Sequence, residues 1–219
     1  MKKVVTSFLL QLAGNNNREW FQANKGMYEE AKNEFEAVVN QFIPGISKFD
    51  ETVKFLTAKD CMFRFYRDVR FSKDKSPYKT NFGAFITKGG KKSHGPGYYF
   101  HVQPGECFLS GGIWQPAPDL VKKIRKEIYY NVSELKGILA DKTFAKYFNG
   151  IDDWDKQKLA PHEFPKDFPD MDLLKNRSFT VSHGLDEKIL HSDKLHDYTL
   201  KVFKIIYPYN EFLRRAIEG

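Results

Sequence analysis

Residues 64–82, with the sequence RFYRDVRFSKDKSPYKTNF, gather arginines, lysines and aromatic residues around two aspartates. Guanidinium and ammonium groups donate charge-assisted hydrogen bonds to phosphate and carboxylate groups, so this segment is typical of an anion-binding site. The same residue types also occur in catalytic patches and in salt-bridged strands with their turns. The residue types alone leave these three interpretations open.

Residues 61–71 alternate between two sets of side chains, which predicts a β-strand. One face of this strand would carry Phe63, Phe65, Val69 and Phe71, and the other Arg64, Tyr66, Asp68 and Arg70. Alternate residues on a strand lie roughly 7 Å apart, so Asp68 would lie between two arginines and keep a low pKa. Such an arrangement suits a preorganised anion site and a closed ion cluster equally.

Arg67 interrupts this alternation because it falls on the phenylalanine face. A charge on an apolar face needs a partner, a path to solvent or a bulge that turns it outward. Asp68 would point the opposite way in a regular strand. We therefore expect any partner of an inward Arg67 to come from elsewhere in the fold.

Residues 72–81 follow this strand and are expected to turn at Ser76-Pro77. The backbone N–H groups, hydroxyls and lysines of this turn could bind an anion. It is not a Walker loop, because the glycines of that motif are absent. His101 lies on a later predicted strand and would add a proton carrier if its face adjoined Arg64 and Arg70. The candidate ligand-binding residues are Arg64, Arg67, Asp68, Arg70, Lys73, Asp74, Lys75, Tyr78, Lys79 and His101.

Other catalytic patterns are weak in this sequence. The six histidines form no H-x-x-x-H or H-E-x-x-H motif, and Cys61 and Cys107 lie far apart, so we expect no metal and no cofactor. Ser182 and His183 would point apart on a strand, and no G-x-S-x-G elbow is present. No catalytic residue is predicted, and whether the protein is an enzyme stays open.

The net charge of +7 permits contact with an anionic partner. The leading hypothesis is a binding module, or an enzyme of unknown reaction, that recognises a small phosphorylated or carboxylated ligand. A second hypothesis is nucleic-acid binding, which would require Tyr66, Tyr78 or Tyr99 exposed beside the lysines. A third is a structural or interaction domain whose central motif is a salt-bridged cluster; in that case Arg67→Ala and Asp68→Ala would unfold it.

A hydrophobic content of 41% argues against a disordered chain. Two cysteines predict reduced, buried thiols, and no run approaches the roughly twenty apolar residues of a membrane span, so we expect a soluble cytoplasmic protein with no membrane contact. The oligomeric state is not predicted.

The pattern of elements predicts one α+β domain over residues 1–219, with N-terminal helices, a central, mostly antiparallel sheet of about five strands, and C-terminal helices packed on it. Helices are expected before Pro44-Gly45, from Pro118 onward, and at the C-terminus with a kink or break at Pro208. The predicted strands are residues 52–57, 61–71, 81–87, 97–103 and 107–114, with a short strand at 178–182.

Four segments together resemble a widespread conserved hypothetical family, a domain of unknown function. They are NNREWF at 16–21, RDVRFSKDKSPYKTNFGAF at 67–85, LSGGIWQPAPDLVKKIRKEI at 109–128 and DLLKNRSFTVSH at 172–183. The resemblance extends from about residue 5 to residue 217 and implies a single intact domain. It implies no reaction, so no catalytic residue is carried over from it.

Overall fold

The computed structural model describes residues 1 to 219. The chain forms helices around one four-stranded sheet. The helices are α1 (Val4–Gly14), α2 (Arg18–Ala23), α3 (Lys25–Ile46), a short 3-10 helix (Glu51–Val53), α4 (Ala58–Cys61), α5 (Pro118–Tyr130), α6 (Val132–Ala140), α7 (Lys142–Tyr147), α8 (Met171–Leu174), α9 (Glu187–Leu190) and α10 (Leu195–Glu218). The strands are β1 (Phe82–Ile86), β2 (Gly97–Val102), β3 (Phe108–Ile113) and β4 (Phe179–Gly184). The predicted combination of terminal helices and a central antiparallel sheet is confirmed.

The sheet has the order β1-β2-β3-β4, and every neighbouring pair is antiparallel. The β2–β3 connection turns at Pro104-Gly105, as the sequence predicts, and Gly105 has a φ of 79°, which glycine adopts without steric cost. β4 pairs with β3, although the chain between these two strands first forms α5 to α8. The sheet therefore depends on residues far apart in the chain.

One face of the sheet is buried against α3 and α10. Phe35 and Phe42 of α3 pack on Phe100 of β2, with ring centroids 5.4 and 5.2 Å apart, and Phe203 of α10 packs on Tyr98. The opposite face, called the outer face here, carries Tyr99, His101, Ser110 and Ser182, among others. The outer face therefore carries a row of polar side chains, whereas the opposite face is mostly apolar.

Asn210 of α10 joins two strands through its side-chain amide. Its Oδ1 accepts a hydrogen bond of 2.9 Å from the backbone N–H of Gly112, and its Nδ2 donates one of 3.0 Å to the carbonyl of Gly97. Asn210 is fully buried, and these bonds satisfy buried backbone groups that the hydrogen bonds between the strands leave without a partner. α10 is thereby fixed to β2 and β3 by hydrogen bonds as well as by apolar packing.

The prediction of about five strands is wrong at residues 52–57. The side chain of Asp50 accepts a hydrogen bond from the backbone N–H of Thr52 and so caps the 3-10 helix. Thr57 and Asp60 then form a capping box at the start of α4. Local capping by side chains prevails here over the strand propensity of the segment.

The prediction is also wrong at residues 61–71, where only two isolated bridges form, Met62 with Ala84 and Tyr66 with Tyr78. The chain follows β1 for a single hydrogen bond, from the N–H of Phe63 to the carbonyl of Gly83, and then leaves the sheet. Residues 65–67 pair instead with residues 77–79 of the same segment. The segment is an irregular hairpin projecting from the sheet edge.

Both helices that contain an internal proline continue past it. α3 continues past Pro44 to Ile46, and α10 runs through Pro208 without division. Cys61 and Cys107 are buried and unpaired, as predicted. None of the helices combines the length and the apolar character that crossing a bilayer would require.

Candidate functional site

Arg67 is held within the hairpin of residues 61–79 rather than in the core. Its Nη1 pairs with the carboxylate of Asp74 and donates to the carbonyl of Ser76 at 3.1 Å, and its Nη2 lies 3.3 Å from the hydroxyl of Ser72. Hydrogen bonds from the side chain and backbone of Ser76, together with Arg67, lower the pKa of Asp74 to about 2. Both partners are therefore occupied with each other and with the loop.

Asp68 does not lie between two bonded arginines as the strand pattern predicted. Only Arg70 contacts it, with Nε at 3.0 Å from Oδ1 and Nη2 at 2.7 Å from Oδ2, and the pair is exposed to solvent. Hydrogen bonds from Arg70, with a smaller contribution from the charge of Arg64, lower the pKa of Asp68. Arg64 instead donates its Nε–H to the carbonyl of Tyr66 at 3.1 Å.

Four cations of the candidate set form no ion pair with a carboxylate. Lys73 is exposed on the turn, and Lys75 donates to the carbonyl of Val69 at 3.0 Å. Arg64 is exposed and Lys79 is half-buried, and neither forms a salt bridge. The positive charge in this segment that no salt bridge neutralises therefore belongs to Arg64, Lys73, Lys75 and Lys79.

Lys79 lies beside the outer face of the sheet. Its Nζ is 5.5 Å from the centroid of the Phe63 ring, and Phe63 packs edge-on against Tyr99 of β2 with centroids 6.2 Å apart. The hydroxyl of Tyr99 lies 2.8 Å from Nδ1 of His101. We call Phe63, Arg64, Lys79, Tyr99 and His101 the Lys79 cluster.

Burial and neighbouring charge act on the titratable groups of the Lys79 cluster. Burial, followed by the positive charge of Arg64, lowers the pKa of Lys79. Burial also lowers the pKa of His101; Glu106 and Gln103 act in the opposite direction and Lys79 adds to the lowering. Since Lys79 and Arg64 disfavour each other's charge, an anion placed between them would relieve this repulsion.

The charge of Lys79 acts on His101 and that of Arg64 acts on Lys79, but no contact joins His101 to Arg64 or to Arg70, which is paired with Asp68. The His101 ring is stacked on Phe108 of β3 at 4.5 Å, and Asn81 Nδ2 lies 3.5 Å from its Nδ1. These contacts hold the imidazole in a fixed orientation. Phe63 and Tyr99 were not among the predicted ligand-binding residues. Tyr99 alternates with His101 on the predicted strand 97–103 and could have been included, whereas Phe63 was predicted on the face opposite Arg64.

Tyr78, predicted as a ligand-binding residue, is buried and has a structural environment. Its ring stacks on Phe21 of α2 with centroids 3.9 Å apart and an interplanar angle of 16°. Asn16 bonds to its backbone. Only 3% of Tyr78 is exposed, so its ring is not available for a ligand.

An open cleft of about 430 Å³ lies where the hairpin meets the N-terminus of α2. It is lined by Asn16, Asn17, Arg18, Val69, Lys75, Ser76 and Pro77. Arg18 adds a cation next to Lys75 that the sequence analysis did not include, because no periodic pattern connects residues so far apart. Two of the four segments that carry the family resemblance, 16–21 and 67–85, meet at this point.

No group of three or more His, Cys, Asp or Glu side chains is arranged to hold a metal ion. The chain matches the model of a conserved hypothetical protein family, DUF2461, over residues 4–212, and it belongs to that family. Comparison with the curated proteins and with the solved structures gave no match.

Proposed function

We propose that the protein is a binding module for a small ligand with a phosphate or carboxylate group, held at the Lys79 cluster. Arg64 and Lys79 would bind the anion, and His101 would exchange a proton with it. One observation carries the proposal: Arg67 and Arg70 are paired with carboxylates, whereas Arg64 and Lys79 are not. Two buried, unpaired cysteines favour a reducing, cytoplasmic setting for this function.

The chemistry of the cluster favours an anion over a neutral ligand. The guanidinium of Arg64 presents several N–H donors in one plane, and only Nε is engaged, by a backbone carbonyl. The ammonium of Lys79 is half-buried, so its attraction for an anion is screened less than that of an exposed lysine. The exposed ring of Phe63 would contact the apolar part of the ligand.

Calorimetric titration with inorganic phosphate, pyrophosphate and citrate tests this proposal. We expect Arg64→Ala and Lys79→Met each to weaken binding at least about tenfold, since hydrogen bonds to charged groups contribute about 1.5–3 kcal/mol. Lys73→Met is the matched control, because Lys73 is an exposed cation of the same segment outside the cluster. If the wild type binds none of the three anions, or if all variants bind them equally, the proposal is wrong.

A second candidate function, binding of single-stranded nucleic acid, is favoured by aromatic side chains exposed along the hairpin. Phe63, Tyr66 and Phe71 are 42%, 45% and 95% exposed, and the Arg70 guanidinium lies 5.8 Å from the centroid of the Phe71 ring. Exposed aromatic rings beside cations stack on bases. Binding of an oligothymidylate that falls steeply with salt and is weakened by Phe71→Ala would support it, while Phe71→Ala should leave phosphate binding unchanged.

A further inference from the structure

Arg125 of α5 is a buried arginine that contacts the segment of residues 157–176. Its side chain is enclosed, with the residue 7% exposed. Nη2 donates to Oε1 of Gln157 at 2.8 Å and to the carbonyl of Asn176 at 3.0 Å. Nε is buried without any hydrogen-bond partner, and Nη1 forms no hydrogen bond either.

Arg125 forms no ion pair in the fold, since no carboxylate oxygen lies within 4.0 Å of its nitrogens. Burial lowers the pKa of Arg125; Glu163 opposes this effect and Arg177 adds to it. Glu163 has its Oε1 4.0 Å from Lys122, and Arg177 is paired with Asp155. A buried charge without a partner costs several kcal/mol, so this environment favours an anion supplied from solution.

Arg125 opens onto a cleft of about 640 Å³ whose other wall is formed by residues 157–163. This volume is in the range of small-molecule sites, roughly 300–1,000 Å³. Leu159 contributes an apolar side chain that is 75% exposed, and Ala160 and Pro161 line the same wall. The cleft therefore combines one buried cation with apolar side chains and with the polar side chains of Lys158, His162 and Glu163.

We propose that this cleft binds a small organic monocarboxylate, with its carboxylate on the free Nη1 of Arg125 and its apolar part against Leu159. Arg125, Lys158 and Glu163 together give the cleft a net charge of +1, which balances one negative charge, whereas a phosphate dianion would leave an uncompensated charge in the same site. The site is separate from the Lys79 cluster and stands whether or not an anion binds there.

Titration of the full-length protein with sodium benzoate, and with sodium phosphate at matched ionic strength, tests the inference. Binding is followed by calorimetry and by the Nε–H signal of Arg125 in nitrogen–proton correlation spectra, assigned by its absence in Arg125→Lys. We expect benzoate to shift this signal, and Arg125→Met to weaken benzoate binding at least tenfold. Arg64→Ala is the control and should bind benzoate as the wild type does, which separates this site from the Lys79 cluster.

Leu159→Asp provides a second variant in case Arg125→Met does not fold. Leu159 is exposed, so the change should leave the fold intact while placing a negative charge at the cleft, and we expect it to weaken benzoate binding at least fivefold. The inference is overturned if the wild type does not bind benzoate, if neither variant weakens binding, or if phosphate alone binds at Arg125.

Discussion

The side chain of Asn16 forms hydrogen bonds with both backbone polar groups of Tyr78. Its Nδ2 donates to the Tyr78 carbonyl at 2.9 Å, and its Oδ1 accepts from the Tyr78 N–H at 3.2 Å. One amide thus satisfies the two backbone groups of Tyr78 that its bridge with Tyr66 leaves unused. The two most distinctive segments of the sequence, 16–21 and 67–85, are held together by this contact and by the stacking of Phe21 on Tyr78.

Replacing Asn16 with leucine should lower the free energy of unfolding by about 1–3 kcal/mol, because both backbone groups of Tyr78 would lose their partner. Urea denaturation measures the change. Asn15→Leu is the matched control, since Asn15 is exposed and bonds only within its own helix end, to the carbonyl of Gln11. Equal effects of the two substitutions would contradict the role assigned to Asn16.

Arg67 and Arg70 should differ in their effect on stability although both are paired with aspartate. Arg67→Gln removes contacts to Asp74, Ser76 and Ser72 from a largely covered side chain, and should cost about 1–2 kcal/mol. Arg70→Gln removes an exposed pair and should leave the urea midpoint nearly unchanged. A larger loss for Arg70→Gln would show that the hairpin depends on Asp68 instead.

Gly112 should not tolerate a side chain. Its φ is 101°, and an added Cβ would lie 1.9 Å from the carbonyl oxygen of Phe179 on β4. Gly112→Ala should therefore cost about 3 kcal/mol or more, measured by thermal or urea unfolding. Gly137→Ala is the opposite case, because Gly137 lies in α6 with nothing near its Cβ position, and should stabilise by about 0.5–1 kcal/mol.

The buried pair of Asp50 and Arg214 should make stability depend on pH. Burial acts to raise the pKa of Asp50, but hydrogen bonds from Thr52, Arg214 and Tyr98 outweigh it, and the pKa is lowered. A folded-state pKa below the unfolded value gives a contribution that is present above about pH 4 and is lost as the pH falls further. Asp50→Asn should cost about 3–5 kcal/mol at pH 7.

The difference in unfolding free energy between wild type and Asp50→Asn should narrow as the pH is lowered from 5 towards 3, because only the wild type has this carboxylate to protonate. Asp197→Asn serves as control, since the Asp197 side chain is 92% exposed, and should follow the wild type closely. A pH-independent difference would show that Asp50 acts through packing alone.

The titration of His101 reports on the Lys79 cluster without any ligand. Because Lys79 lowers the pKa of His101, Lys79→Met should raise it, whereas Lys73→Met should have no effect. The imidazole proton shifts in NMR spectra recorded between pH 5 and 8 give both values. Bound phosphate should raise the pKa of His101 in the wild type, and an unchanged value on saturation would place the anion elsewhere.

The strands that pair in the sheet were predictable because their alternation coincides with one buried and one outer face. Residues 97–103 and 107–114 also flank a Pro-Gly turn, which sets their pairing. Residues 61–71 show the same alternation, but their hydrogen-bond partners are residues 77–79 of the same segment, and alternation cannot distinguish a ladder to the sheet from a ladder within a hairpin.

The candidate site was predictable in its residue types but not in its pairing. Asp74 was visible as a neighbour of two lysines, yet its partner is Arg67, seven residues earlier, and only the course of the hairpin brings them together. The sequence around Arg125 does not indicate that its charge lacks an ion pair. That depends on residues 157–176, which contribute an amide oxygen and a backbone carbonyl to Arg125 but no carboxylate.

The amide of Asn210 has a consequence for the order in which the chain can fold. Its partners in β2 and β3 precede it by 113 and 98 residues, so the central strands obtain these hydrogen bonds only after α10 has been synthesised. Such long-range closure slows folding, and during synthesis the apolar face of the sheet stays uncovered by α10 until that helix has left the ribosome. We therefore expect the growing chain to be most vulnerable to aggregation after β4 has emerged and before α10 has.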